Sequence, residues 1–326
     1  MTAGGLGRPL SSRRIPRARA CVFSGRVGTT RMTPVEAIVY GLIQGATEYI
    51  PVSSTAHLLI APWLFGWAPP SPAFDVLVQL GTLGAVILYL RRDIVDIVRS
   101  SLRGLIVRRP LVDEHATRGW MIVVATIPAV VCGLWFDDAI DASMGDARSV
   151  FLQLVVNGLI LIGAELLGRR QRQGDSGRPL TWPLAVAIGF GQALAILPAI
   201  SRSGATIATA LMFGVNRVEA ARFSFLLSIP VLMGAGVLKG AGLLRDTSLL
   251  AREGQGLLIA FVVAAVVGFA VIVWLQGFLR RRSLYGFALW CVVVGLLGLA
   301  LRVEPVAQAG RPSDPAADNQ KASEKQ

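Results

Sequence analysis

The chain has 326 residues, of which 53% are hydrophobic and only 16% are Asp, Glu, Lys or Arg. A soluble domain carries about 25% charged residues; with a mean hydropathy of +0.59 and several apolar runs near the roughly 20 residues that cross a bilayer, this chain reads as a polytopic membrane protein. The formal net charge of +12 invites a nucleic-acid partner, but the Arg residues are spread over short loops between apolar runs, which is the pattern of positive-inside loops.

Residues 1–31 hold seven Arg among Gly and Ser and contain no apolar run. They read as a disordered basic extension, and a translation start at Met32 is the favoured alternative. Apolar segments follow at about 35–49, 55–66, 74–90, 119–136, 150–168, 182–197, 204–213, 218–240, 256–277 and 284–302. The pairs 35–49/55–66 and 182–197/204–213 are too short or too polar to span alone. Each pair is joined by a turn containing Pro and Ser, the sequence sign of a re-entrant hairpin. A polar, disordered tail is expected over 303–326.

Loop charge sets the orientation. The stretch 91–118 holds Arg91, Arg92, Arg99, Arg103, Arg108, Arg109 and Arg118; 169–180 holds Arg169, Arg170, Arg172 and Arg178; 278–283 holds Arg280, Arg281 and Arg282. Asp137, Asp138, Asp141 and Asp146 make 137–148 acidic. The Arg-rich loops are therefore expected in the cytoplasm and the acidic loop outside. The segments alternate correctly only if each short pair enters and leaves on one side. The expected fold is an all-α membrane domain over 32–302, an inverted-topology repeat of about 35–168 and 182–302 with six transmembrane helices and two re-entrant hairpins. Faint echoes agree: Ile50-Pro51-x-x-Ser54 with Leu197-Pro198-x-x-Ser201, and Phe74-x-x-Leu77 with Phe223-x-x-Leu226. Inverted repeats place their site near the midplane, between discontinuous helices.

The groups that carry chemistry sit at these breaks. Gln44 and Glu48 share a helix face. An ionisable group at this depth costs at least about 2.5 kcal/mol unless partnered or wet, so Glu48 is expected to face a polar cavity. It can serve as a proton acceptor, as a metal ligand with Gln44, or simply as a helix-to-helix hydrogen-bond partner. A carboxylate beside an amide oxygen suits a hard divalent cation, Mg²⁺ or Ca²⁺. Ser53, Ser54 and Thr55 open the next helix. One hydroxyl is enough for an N-cap, which leaves others for phosphate binding or nucleophilic attack. His57 lies three residues after Ser54, and a Ser–His pair is the minimum for an activated hydroxyl. Its bland alternative is a satisfied core histidine. In the second turn Arg202 stands between Ser201 and Ser203, with Thr206 one turn on. The guanidinium fork and a helix N-terminus both suit phosphate oxygens. Arg217, Glu219 and Arg222 read as ordinary interfacial charges. Cys21, Cys132 and Cys291 lie far apart without CxxC spacing, so neither a metal site nor a disulfide is expected.

At these two stretches the chain resembles the undecaprenyl-diphosphatase family, the bacitracin-resistance membrane phosphatases. The first signature is carried here by Gln44, Glu48, Pro51, Ser53, Ser54, Thr55 and His57; the second by Pro198, Ala199, Ile200, Ser201, Arg202, Ser203 and Thr206. The likeness covers about 35–302. It implies a multi-pass enzyme of the bacterial plasma membrane that hydrolyses undecaprenyl diphosphate to the monophosphate with a divalent cation. That reaction recycles the lipid carrier of peptidoglycan synthesis. Read together with the residues, it implies catalytic roles for Glu48, Ser54, His57 and Arg202, phosphate contacts from Ser53, Thr55, Ser201, Ser203 and Thr206, and a cation at Gln44 and Glu48. The first hairpin suggests access from the extracytoplasmic side. Ala199 and Ala56 stand where the family carries Gly; if position 199 requires positive φ, the turn before Arg202 is strained. An inverted-repeat transporter or lipid flippase is the competing class. A phosphatidic-acid-phosphatase-type enzyme would want a second active-site histidine. The nucleophile, Ser54 or water, is left open, as is assembly as a homodimer.

Overall fold

The computed structural model describes residues 32–135, 146–171, 177–243 and 247–301, and these form an all-α architecture. The basic stretch 1–31, Asp137, Asp138, Asp141, Arg172 and the tail 303–326 lie outside the described residues. In chain order the helices are α1 (Pro34–Thr47), α2 (Ser54–Phe65), α3 (Pro72–Tyr89), α4 (Arg91–Ile106), α5 (Glu114–Trp135), α6 (Ala147–Gln171), α7 (Trp182–Ala193), α8 (Arg202–Met212), α9 (Arg217–Leu243), α10 (Thr247–Leu279) and α11 (Tyr285–Leu301). A 3₁₀ turn, Leu194–Ile196, follows α7.

Length and composition sort these helices. α5, α6, Arg217–Val237 of α9 and Glu253–Leu279 of α10 are each long and apolar enough to cross a bilayer. α3 and α4 pass that test together but are bent by 77°. The protein is therefore a multi-pass α-helical membrane protein. α1, α2, α7 and α8 have 14, 12, 12 and 11 residues, too short for a hydrocarbon core of about 30 Å at 1.5 Å per residue. They coincide with the two short pairs expected from sequence.

α4 corrects the reading of 91–118 as loop. Its Arg residues mask a helical pattern. Ile97 and Gly104 are buried, whereas Val95, Val98, Leu102 and Leu105 form an exposed apolar stripe at helical spacing. A stripe flanked by Arg is the composition of a helix lying in the membrane interface, and the bend after α3 turns it away from the α3 axis.

Packing between the halves is reciprocal. α1 packs along α10, and α7 along α5; α3 packs on α10, and α9 on α5; α6 pairs with α11 and α3 with α9. Small residues make the contacts close. A Cβ on Gly45 of α1 would fall 2.8 Å from the Ala264 carbonyl oxygen, and one on Gly189 of α7 would fall 2.6 Å from that of Ala125. In lipid, where apolar burial does not drive helices together, such close backbone approach is a main source of association.

The start of α9 is also corrected. Arg217 is no ordinary interfacial charge: its Nε and Nη2 donate to the two carboxylate oxygens of Glu165 at 2.7 and 2.5 Å. Glu165 is fully buried on α6 and also accepts the Leu284 N–H at 2.9 Å. Glu219 pairs with Arg118 of α5 at 2.6 Å, and Arg222 pairs with Asp93 of α4. These pairs tie one end of α9 to α4, α5 and α6.

Candidate functional site

Two chain breaks meet inside the bundle. After α1 the chain turns through Tyr49–Ser53; after the 3₁₀ turn it turns through Leu197–Ser201. Ser53 caps α2, its Oγ accepting the Ala56 N–H at 3.3 Å, and Ser201 caps α8, its Oγ accepting the Gly204 N–H at 3.0 Å. The two caps are thus Ser53 and Ser201, one residue out of step with the echo that aligns Ser54 with Ser201. Because Ser53 takes the cap, Ser54 and Thr55 keep their hydroxyls free of that duty. Positive φ falls on Ser53 (71°), and Ala199 is not among the positive-φ residues. The strain considered at position 199 is therefore absent; Ala199 is buried, and its N–H donates to Gln153 Oε1 at 3.0 Å.

The turns are stitched together by hydrogen bonds. Ser53 Oγ donates to the Pro198 carbonyl at 3.4 Å. Ser203 Oγ lies 3.2 Å from the Glu48 carbonyl and 3.4 Å from that of Ile50. Asn157 of α6 spans both turns: Nδ2 donates to the Pro51 carbonyl at 3.1 Å, and Oδ1 accepts the Ser201 N–H at 3.0 Å. Each turn thereby satisfies backbone groups that would be costly to leave bare at this depth.

Glu48, just past the end of α1, is the hub. Its Oε1 accepts from Arg202 Nη2 at 2.6 Å. Its Oε2 accepts from Ser54 Oγ at 2.7 Å and from Gln44 Nε2 at 2.9 Å. The Glu48 and Arg202 side chains are 6% and 16% exposed, so the pair is close to dry. Two helix N-termini border this carboxylate. In each, the amides of the first turn lack intrahelical partners, giving a positive dipole end suited to anions.

The other candidates divide. Ser201 Oγ and Ser203 Oγ lie 3.1 Å apart within the second turn. Thr206 Oγ1 is turned away from Glu48: it bonds the Arg202 carbonyl at 2.9 Å and Ser224 Oγ at 2.6 Å. Thr55 is half-buried in the first turn of α2. His57 is not bonded to Ser54. Its Nε2 accepts the Trp290 indole N–H at 2.9 Å, and its Nδ1 lies 2.7 Å from the Ser53 carbonyl, which makes Nδ1 the protonated nitrogen. The His57 and Trp290 rings stack with 10° between their planes.

The donor set suits a divalent cation shared with a substrate. Gln44 is fully buried and its Oε1 has no hydrogen-bond partner among the described residues, an orphan acceptor beside a carboxylate. Among the described residues there is no group of three or more His, Cys, Asp or Glu that could hold a metal by themselves. Gln44 and Glu48 would supply part of a hard-cation shell, with phosphate oxygens and water completing it. Among the described residues Cys132 and Cys291 are unpaired.

Asn157, Gln153 and Trp290 were not foreseen. For Asn157 a signal existed: an amide inside the apolar run 150–168 must find polar partners.

The fold and the site together define a class: a polytopic helical membrane protein whose broken helices enclose a carboxylate–guanidinium–hydroxyl centre. The pattern of the family described as bacitracin resistance protein BacA matches residues 37–297. Among similar proteins are undecaprenyl-diphosphatases of Chloroherpeton thalassium (39% identical over 274 residues, 83% of this chain and 97% of that protein) and Thermomicrobium roseum (41% over 270, 80% and 95%). That of Myxococcus xanthus is 39% identical over 299 residues, 89% of this chain and 99% of that protein. The chain belongs to the BacA family of bacitracin resistance proteins.

Proposed function

We propose that this protein is an undecaprenyl-diphosphate phosphatase, hydrolysing the lipid diphosphate to the monophosphate and inorganic phosphate and so recycling the carrier lipid of cell-wall synthesis. The observation that carries this reading is the hydrogen-bonded set of Arg202, Glu48 and Ser54 between two helix N-termini. Family membership and relatives bearing that activity in their names support it.

In this mechanism the incoming diphosphate takes the Arg202 guanidinium from Glu48, exchanging one oxyanion partner for another. The α2 and α8 amides bind the remaining oxygens. Glu48, released from the ion pair but still hydrogen-bonded to Ser54, accepts the Ser54 proton. Ser54 Oγ bonds to the terminal phosphorus while the bond to the bridging oxygen breaks, and undecaprenyl phosphate leaves. Water then displaces Ser54, which recovers its proton from Glu48, and inorganic phosphate departs. Phosphoryl transfer asks mainly for positioning and charge stabilisation, so few reactive groups suffice. Gln44 Oε1 and Glu48 would hold a Mg²⁺ or Ca²⁺ ion, which when bound neutralises charge on the diphosphate. His57, held between Ser53 and Trp290, orients the first turn of α2. Ser53, Ser201 and Ser203 shape the cradle, Thr55 borders it, and Thr206 supports it from behind.

The same reading assigns an inverted repeat of six spans and two re-entrant hairpins. The reciprocal packing of α1 on α10 and α7 on α5 supports it. Family membership favours an enzyme of the bacterial plasma membrane, and the loop charges, by setting the first hairpin to open outward, favour access from the extracytoplasmic side. The test is phosphate release from undecaprenyl diphosphate by the purified protein, with and without chelator. Release with metal and its loss with chelator are expected; substrate movement across vesicles without any phosphate release would overturn the enzyme in favour of a transporter.

A further inference from the structure

A second polar recess lies away from Glu48 and Arg202, where the end of α3 meets the end of α10. It has a volume of 440 Å³ and is lined by Tyr89, Val273, Gln276, Gly277, Arg280 and Arg281. Gln276 is only 7% exposed, and its Nε2 has no hydrogen-bond partner among the described residues. A buried amide donor left bare costs about 1–3 kcal/mol, and this one belongs to a residue that lines a cavity also bordered by two guanidinium groups. Among the described residues no acidic side chain lines the recess. Donors without acceptors call for an anion, and the guanidinium fork suits phosphate oxygens in particular. Val273, half exposed, and the phenol ring of Tyr89 add apolar surface beside the charged rim.

Its place along the helices sets it apart from the Glu48 centre. Tyr89 stands seven residues beyond Thr82, whose carbonyl accepts the Tyr49 hydroxyl beside that centre. Seven residues of helix span about 10 Å. The recess therefore sits about two turns toward the Arg-rich end of the bundle, at the level of Arg280, Arg281 and Arg282 and next to Arg91 and Arg92. Basic side chains at that level meet lipid headgroups.

We propose that this recess is a phosphate-binding site for an anionic headgroup, distinct from the Glu48–Arg202 centre. Arg280 and Arg281 donate to the phosphate oxygens, the Gln276 amide turns its buried Nε2 toward them, and Val273 and Tyr89 take the first carbons of the lipid. The shared chemistry is the phosphate group, which either a membrane lipid or free phosphate can bring.

The test is calorimetric titration of the full-length protein in a neutral detergent. The probes are dihexanoyl phosphatidic acid, dihexanoyl phosphatidylcholine and inorganic phosphate. The variants are Arg280→Ala/Arg281→Ala, Gln276→Leu and Gly277→Leu, with Arg282→Ala as control. Gly277→Leu is informative because it puts a bulky side chain at a lining position, and an added Cβ there meets nothing within 4 Å, so the helix is undisturbed. The wild type and Arg282→Ala are expected to bind one equivalent of phosphatidic acid that the other variants lose. Loss of two charge-assisted contacts weakens binding by about 10-fold or more. Gly277→Leu is expected to retain hydrolysis of polyprenyl diphosphate, which separates the recess from the catalytic centre. Phosphatidic acid binding at least about 10-fold tighter than phosphate marks a lipid headgroup as the ligand; equal binding marks the free anion. Undiminished binding in the Arg280→Ala/Arg281→Ala protein, or phosphatidylcholine binding as tightly as phosphatidic acid, would overturn the proposal.

Discussion

Arg202 Nη2 lies 2.6 Å from Glu48 Oε1 although the two residues are 154 positions apart. Each half of the chain contributes one of the two charges, so the centre exists only when both turns are in place. A buried ionised carboxylate requires a partner, and Arg202 is that partner. In the proposed mechanism the ion pair keeps the guanidinium oriented for the substrate rather than extended into solvent. Preorganised charge of this kind needs little rearrangement at the moment of reaction.

Ser54 donates to Glu48 at 2.7 Å, which in the proposed mechanism gives the attacking hydroxyl an acceptor for its proton. Ser54→Ala is expected to fold normally and to lose turnover by about 100-fold or more. Acid-quenched wild-type turnover, followed by peptide mass spectrometry, should find phosphate on Ser54. Full activity in Ser54→Ala would hand the attack to water.

Asn157 holds both turns at once, through the Pro51 carbonyl and the Ser201 N–H. Asn157→Leu strands two buried backbone groups at about 1–3 kcal/mol each. A lowered melting temperature and a lowered kcat should appear together. Cys291→Ala, which removes a weak 3.4 Å contact to Asn157 and a 3.9 Å contact to the Pro51 carbonyl, should change neither by much; equal effects of the two variants would contradict the bridging role.

Ser53 carries backbone strain at φ 71° and a cap on Ala56. Ser53→Ala keeps the strain, about 1–3 kcal/mol, and loses the cap. Ser53→Gly loses the cap but relieves the strain. The Gly variant should therefore melt at a higher temperature than the Ala variant; the reverse order would show that the backbone at this turn is not strained.

Gly45 and Gly189 occupy corresponding close approaches, α1 on α10 and α7 on α5. Gly45→Ala and Gly189→Ala should each destabilise the fold, because backbone rather than a flexible side chain must move. Overpacking of this kind costs about 1–3 kcal/mol. Gly84→Ala meets nothing within 4 Å and should be silent in thermal melts.

Much of this arrangement was legible in the chain. Pro51 and Pro198, each followed by hydroxyls within an apolar run, marked the two breaks. Gln44, Glu48, Ser54 and Arg202 do meet at one point. What was hidden depended on distant partners. Nothing in the local sequence says that His57 will accept from Trp290, 233 positions away. α4 was hidden because its Arg residues lower the hydropathy of a segment whose periodicity is helical. Glu165 was passed over inside 150–168, although a carboxylate in an apolar run demands a cation, and Arg217 supplies it. The cap register was missed by one residue because Ser53 and Ser54 are chemically equivalent as text; only the backbone decides which of them caps.

The central claim is that Glu48 and Arg202 form one diphosphate-handling unit, and single-turnover phosphate release from undecaprenyl diphosphate tests it most directly. Glu48→Gln and Arg202→Gln should each slow release by about 10²- to 10³-fold. The double variant should be no slower than the worse single, because the two residues act as a unit, and should melt no lower than either, because no buried charge is left unpaired. Wild-type release by a folded Arg202→Gln protein would contradict the account.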